Sequence, residues 1–257
     1  MSYFKKVGSE NLIYAEVFFD PQAHTSRGVE FSTVIEGLHR AQGDAASRLG
    51  IDSQLIMCFL RDMTAESAAE TLEQAEPYRD WIIGVGLDSD ESGNPPLKFK
   101  EVFQEAGKSY RLTMHCDVDQ ENSVGHIWQA LDDIGVERID HGINSLEDAK
   151  LVKAIVDRGI GLTVCPLSNK FVVQDSKSTE IKTMLDLGML PTVNTDDPSY
   201  FLGYMNENLR VAQRDGSLTI TEVVQLMRNA FAISWAPEAA KQNYIRQLDD
   251  YVAATEI

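Results

Sequence analysis

The chain has 257 residues, of which 43% are hydrophobic and 25% charged, and it carries a net charge of −17 at pH 7. It is long enough for one large core or two ordinary ones. Its acidity works against nucleic-acid or anionic-membrane binding, since phosphate recognition needs a basic surface, and no apolar run of about 18 residues is present to span a bilayer. Three cysteines (Cys58, Cys116, Cys165) without C-x-x-C spacing argue against a disulfide framework or a structural zinc knuckle. The first ten residues lack an apolar signal-peptide core, so the expected compartment is the cytoplasm.

In chain order, Leu12–Phe19 reads as a first strand, followed by a helix over Val29–Leu49. Gln54–Leu60 and Ile82–Leu87 read as strands on either side of a helix over Ala65–Ala75. A helix over Pro96–Ala106 leads to a strand at Arg111–His115, and one over Ser123–Ile134 to a strand at Glu137–Asp140. Leu146–Arg158 precedes the strand Gly161–Cys165, and Ser178–Leu187 precedes Leu190–Asn194. Strand starts recur roughly every 25 to 40 residues, the spacing of βα units. The strands are nearly continuous apolar runs, as buried parallel strands are. Thr219-Ile-Thr-Glu222 is a capping box that opens another helix, and Pro237 starts one more. No Gly/Ser-rich linker divides the chain, so residues 1–257 read as one barrel domain closed by C-terminal helices.

Polar residues gather at the C-terminal ends of these strands: Asp20, Asp88-Ser89, His115, His141, Cys165-Pro166-Leu167-Ser168-Asn169 and Asp196-Asp197. That is the catalytic face of a βα-barrel. A doubly wound sheet also collects ligand groups at strand ends, but the spread over several strands favours convergence in a barrel. Gly84-Val-Gly86 lacks the third glycine of a dinucleotide fingerprint. Of the five histidines, His39 and His126 lie within helical stretches and are expected at the surface, while His24 sits in a polar loop. His115 and His141 each terminate an apolar strand. Two such histidines with an aspartate pair offer the imidazole and carboxylate ligands that zinc accepts. A cation would also relieve the repulsion between Asp196 and Asp197. Metal-assisted hydrolysis is the chemistry this spacing suggests.

His115 in "LTMHCDVDQ", "ERIDHG" at 137–142, "LTVCPLSN" at 162–169 and "VNTDDPSYF" at 193–201 together resemble the adenosine/adenine deaminase family of the amidohydrolase superfamily. "FFDPQAHTSRG", "GLDSDESGNPP" and "CPLSN" are closest to its adenine deaminase branch. The resemblance implies a metal-dependent (β/α)8 TIM barrel that hydrolyses the 6-amino group of a purine with a zinc-activated water and releases ammonia. It implies His115 and Asp196 as metal ligands, His141 as the group that helps deprotonate the water, Asp197 as a partner of purine N7, and Ser89 as a substrate contact. The implied partner is a small-molecule purine, adenine first, with an N6-substituted adenine or adenosine as the alternative. A catalytically inactive barrel that binds a purine or a partner protein is the alternative of another class.

Two features depart from the family pattern. The family's proton-donating glutamate follows the metal-binding histidine by three residues, where this chain has Val118. Asp119 is the first candidate to replace it and Asp117 the second. The family's H-x-H pair is absent, and seven strands are read where the barrel uses eight; the first strand here resembles the family's second. Three explanations stay open: a piece of a longer deaminase, a segment supplied by another chain, or a lost metal site. With two protein ligands instead of the usual three, weak or absent metal binding is expected of the chain as it stands. Uncovered parallel edges make a homo-oligomer a further expectation.

Overall fold

The structure, a computed structural model, describes residues 1–255. Its contacts gather into two compact units: Met1–His115 with Gln120–Glu137, and Cys116–Asp119 with the chain from Arg138 onward.

The first unit begins with α1 (Ser2–Gly8), β1 (Tyr14–Phe19), the short α2 (Gln22–Thr25) and α3 (Phe31–Leu49). It continues through β2 (Asp52–Leu60), α4 (Ala65–Ala75), β3 (Ile82–Asp88), α5 (Lys100–Ala106), β4 (Arg111–Cys116) and α6 (Ser123–Gln129). The strands pair in sequence order and all in parallel. Parallel neighbours need a crossover between them, and the intervening helices supply it. Leu55 to Phe59 of β2 are all buried, five in a row, so both faces of this strand are covered. Val85, Leu87, Phe99, Phe103, Met114 and Ile127 fill the core around it. Each contributes about 1.5–3 kcal/mol by leaving water. The helix ends follow local chemistry. Thr64 caps α4 by accepting from the Ser67 amide at 3.1 Å, and α3 stops where Gly50 turns left-handed at φ 68°.

The second unit contains β5 (Arg138–His141), α7 (Ala149–Arg158), β6 (Gly161–Val164), α8 (Pro166–Val173), α9 (Ser178–Asp186) and β7 (Leu190–Val193). α10 (Met205–Asp215), α11 (Ile220–Ile233) and α12 (Glu238–Ala254) follow. β5, β6 and β7 are again parallel in sequence order. α11 lies close against this ribbon because Gly161 has no side chain; a Cβ there would stand 2.4 Å from Ile233 Cδ1. Buried Asn229 of α11 donates to the Pro191 carbonyl of β7 at 2.9 Å. The capping box at Thr219 and Glu222 forms as read from the sequence. No helix among the described residues is long and apolar enough to cross a membrane.

Several expectations shift. His126, expected at the surface, is 5% exposed, because its Nδ1 meets the buried Glu91 carboxylate at 3.2 Å. The strand of the second unit that carries His141 ends on that residue, one position later than its sequence pattern suggests. "CPLSN" does not extend β6: the strand stops at Val164, and Pro166 opens α8 at its first position, where the missing N–H costs nothing. α1 and α10 stood outside the sequence reading, although their buried residues, Phe4 and Val7 in α1 and Asn208, Val211 and Ala212 in α10, recur at helical spacing.

Candidate active site

In the second unit three side chains from consecutive strand ends converge. His141 closes β5, Cys165 follows β6, and Asp196 lies just beyond β7; one ligand atom from each lies within 4.8 Å of the others. His141 Nε2 stands 3.9 Å from Asp196 Oδ2, and its Nδ1 stands 3.7 Å from Asp117 Oδ1. His141 and Cys165 are buried, while the Asp196 side chain keeps 21% of its exposure. His141 and Asp196 both have left-handed backbones, at φ 62° and 52°. This conformation costs a non-glycine residue roughly 1–2 kcal/mol, and such strain persists mainly where function or packing enforces it. The glycine after His141 is required. It too is left-handed, at φ 76°, and a Cβ would lie 2.6 Å from Leu162 Cδ2. Its amide donates to the Cys116 carbonyl at 3.0 Å, tying the β5 turn to the start of the Asp117 loop.

β5 is held in place by buried polar contacts. Asp140 accepts from Thr163 Oγ1 at 2.8 Å and stands 3.6 Å from Arg138 Nε. The Arg138 guanidinium in turn lies over the Trp235 ring at 4.2 Å. The Cys165 thiol is pushed well above the ordinary thiol range, first by burial and then by the charges of Asp196, Asp140 and Asp117. It is therefore a neutral thiol at pH 7, and no nucleophile. The sequence reading quoted Cys165 in a motif without giving it a role.

Asp119, the first-ranked proton donor from the sequence, is held as an ionised carboxylate. Its Oδ2 pairs with Lys177 Nζ at 2.9 Å and its Oδ1 accepts from Asn144 Nδ2 at 3.0 Å. These two bonds, Lys177 first, hold its carboxyl below the usual range. Of the two loop aspartates, Asp117 is the one beside His141. Asp197 is exposed, and its carbonyl accepts from the amides of Tyr200 and Phe201 at 2.9 and 3.0 Å.

The first unit carries His115 and Ser89. The His115 ring packs edge-on against Phe18, with centroids 5.4 Å apart, and its carbonyl accepts from Arg61 Nη1 at 3.0 Å. Arg61 is fully buried; it pairs with Glu91 at 3.3 Å and donates to the Asn94 carbonyl at 3.0 Å. Glu91 also meets His126, so a buried network grips both the His115 backbone and the loop after β3. It was not legible in the sequence, because its members lie far apart in the chain. Ser89, exposed and left-handed at φ 76°, stands at the head of that loop. A second donor group is Asp20 just after β1, Cys58 within β2 and Asp88 at the end of β3, with ligand atoms within 4.8 Å of one another.

The Adenosine deaminase family model matches residues 1–251. This chain belongs to the adenosine deaminase family. It is 51% identical over 254 residues to an uncharacterized deaminase of Schizosaccharomyces pombe (strain 972 / ATCC 24843), covering 98% of this chain and 75% of that protein. It is 48% identical over 250 residues to an adenine deaminase of Marinomonas sp. (strain MWYL1), covering 96% of this chain and 74% of that one. Among solved structures, adenine deaminase from Arthrobacter aurescens superposes with a TM-score of 0.93 at 36% identity, over 98% of this chain and 77% of that one. The fold is thus the α/β amidohydrolase barrel type, with seven parallel strands among the described residues, and the protein is a deaminase-class hydrolase.

A divalent metal is what the family relation implies. Zinc would suit the donors that converge in the second unit: the His141 imidazole and the Asp196 carboxylate, both on strained backbones, are ligand types it takes, and Cys165 would join them only as a thiolate.

Proposed function

We propose that this protein removes the 6-amino group of a purine by hydrolysis, adenine plus water giving hypoxanthine plus ammonia, as a step of purine metabolism in the cytoplasm. The observation that carries the reading is the convergence of His141, Asp196 and Asp117 at strand ends, in a deaminase-family chain. Asp196 would help to hold zinc, which when bound would make water nucleophilic near neutral pH.

The chain's own residues do the rest. His141 accepts the proton of the attacking water and orients it towards purine C6. The proton that His141 takes from the water passes by way of Asp117, 3.7 Å from its Nδ1, to N1 as C6 becomes tetrahedral. The place of Asp117 beside His141, and the engagement of Asp119 by Lys177, favour Asp117 over Asp119 for this task. Asp197 hydrogen-bonds N7. The neutral Cys165 thiol forms a wall of the site. A self-associated form would cover the exposed side chains of Phe171, Tyr200 and Leu202, which are 72, 77 and 88% exposed.

The test is release of ammonia from adenine and adenosine, and of the alkylamine from N6-alkyl adenines, by zinc-loaded protein expressed from its complete reading frame. Adenine is expected to turn over fastest. Turnover of an N6-alkyl adenine with release of the alkylamine, and none of adenine, would move the substrate to the alternative.

A further inference from the structure

Three loops of the second unit are joined through one carboxylate. Asp119, in the loop after β4, accepts from Lys177 Nζ at 2.9 Å and from Asn144 Nδ2 at 3.0 Å, while its amide donates to Asn144 Oδ1 at 2.8 Å. Asn144 belongs to the loop after β5 and is 5% exposed; Lys177 precedes α9 and keeps 17% of its side-chain exposure. Asn144 also donates to Glu147 at 2.6 Å. The Lys177 amide donates to Asp175 Oδ1 at 3.0 Å, which fixes the turn from which its side chain reaches out.

The backbone makes the pairing more telling. Asp119 and Lys177 are both left-handed, at φ 54° and 53°. Glycine would adopt that conformation at lower cost than lysine, so the local fold alone does not call for Lys177. What the strained positions secure is a pair of side chains that meet. Between Asp117 and Asp119 lies Val118, fully buried, which pins the middle of the loop. Asp117 Oδ1 accepts from the Val118 amide at 2.7 Å. With Val118 anchored and Asp119 clasped, Asp117 is left little freedom beside His141.

We infer that Asp119 is a positioning residue: with Asn144 and Lys177 it clasps the loop after β4 and fixes Asp117 beside His141. The sequence reading placed Asp119 first as proton donor; the clasp gives it a different task. Both of its oxygens are already engaged as acceptors, so it has no proton to offer a ring nitrogen. The activity arm of the test rests on the deaminase reading above, and the structural arm does not.

The experiment compares Asp119→Asn, Lys177→Met and the double variant with wild type, by adenine turnover and by hydrogen exchange of the 117–122 amides. The clasp predicts that each single change lowers kcat by about 10-fold, with KM within about 2-fold, and that the double variant is no worse than either. Such non-additivity marks two residues acting as one. Exchange across 117–122 should quicken in all three. A kcat loss of about 100-fold or more in Asp119→Asn, the scale of a lost general acid, with Lys177→Met unchanged, would overturn the inference. Unchanged exchange in Lys177→Met would overturn it as well. If wild type turns over no purine, the functional reading fails, and exchange alone still decides the clasp.

Discussion

On the proposed reading, Asp196 and Asp197, neighbours in the chain, have separate tasks. Asp196 turns towards His141 on a left-handed backbone, and Asp197 is exposed and assigned to the purine. Asp196→Asn should weaken zinc binding, read by chelator competition, and lower kcat at least about 100-fold. Asp117→Asn should lower kcat by a factor of about 10² to 10⁴ while zinc affinity stays near wild type. Equal loss of zinc in both variants would mean that Asp117 is a ligand instead of an acid. In the first unit, Arg61→Met strands the Glu91 carboxylate in the interior, where both side chains are at most 2% exposed. A cost of about 3–5 kcal/mol in urea unfolding is expected. A loss under about 1 kcal/mol would show that His126 alone suffices for Glu91.

Among the elements, the strands were legible because they are short apolar runs, most of them largely buried, and the helices because caps and periodicity mark them. Ala65–Ala75 and the Thr219 capping box came out as read. The clasp was not legible. Asp119 and Lys177 lie 58 residues apart, and nothing local at either position announces the other. Cys165 was hidden differently: a buried thiol looks like a small apolar residue until its neighbours are known. His126 read as a surface residue because a polar side chain in a helix usually is one; buried Glu91 overrode that. At the start of α11, Lys182 and the Thr219 cap, Lys182 first, hold the Glu222 carboxyl at about 2 instead of the ordinary 4.5. A carboxyl lowered on folding stabilises above its unfolded pKa, and the gain is lost as pH falls through the folded one. Wild type should therefore exceed Glu222→Gln in melting temperature above about pH 4.5, with the gap closing towards about pH 2. A gap that does not vary with pH would contradict this assignment.

At the scale of the molecule, family membership was visible in the four ordered motifs, while the geometry among their residues needed the fold. The net charge of −17 fits a neutral purine better than a phosphorylated one, because like charge repels a nucleotide from the site. Zinc should also stabilise the folded protein by mass action, by about 2.7 kcal/mol at a hundred times its Kd, and Asp196→Asn should lose most of that shift.

The most direct measurement is ammonia formed from adenine by the zinc-loaded protein expressed from its complete reading frame, beside the same protein carrying Asp196→Asn. One ammonia per hypoxanthine, lost in the variant, is the expected result. A folded, zinc-loaded protein that releases no amine from adenine, adenosine or N6-alkyl adenines would contradict the account.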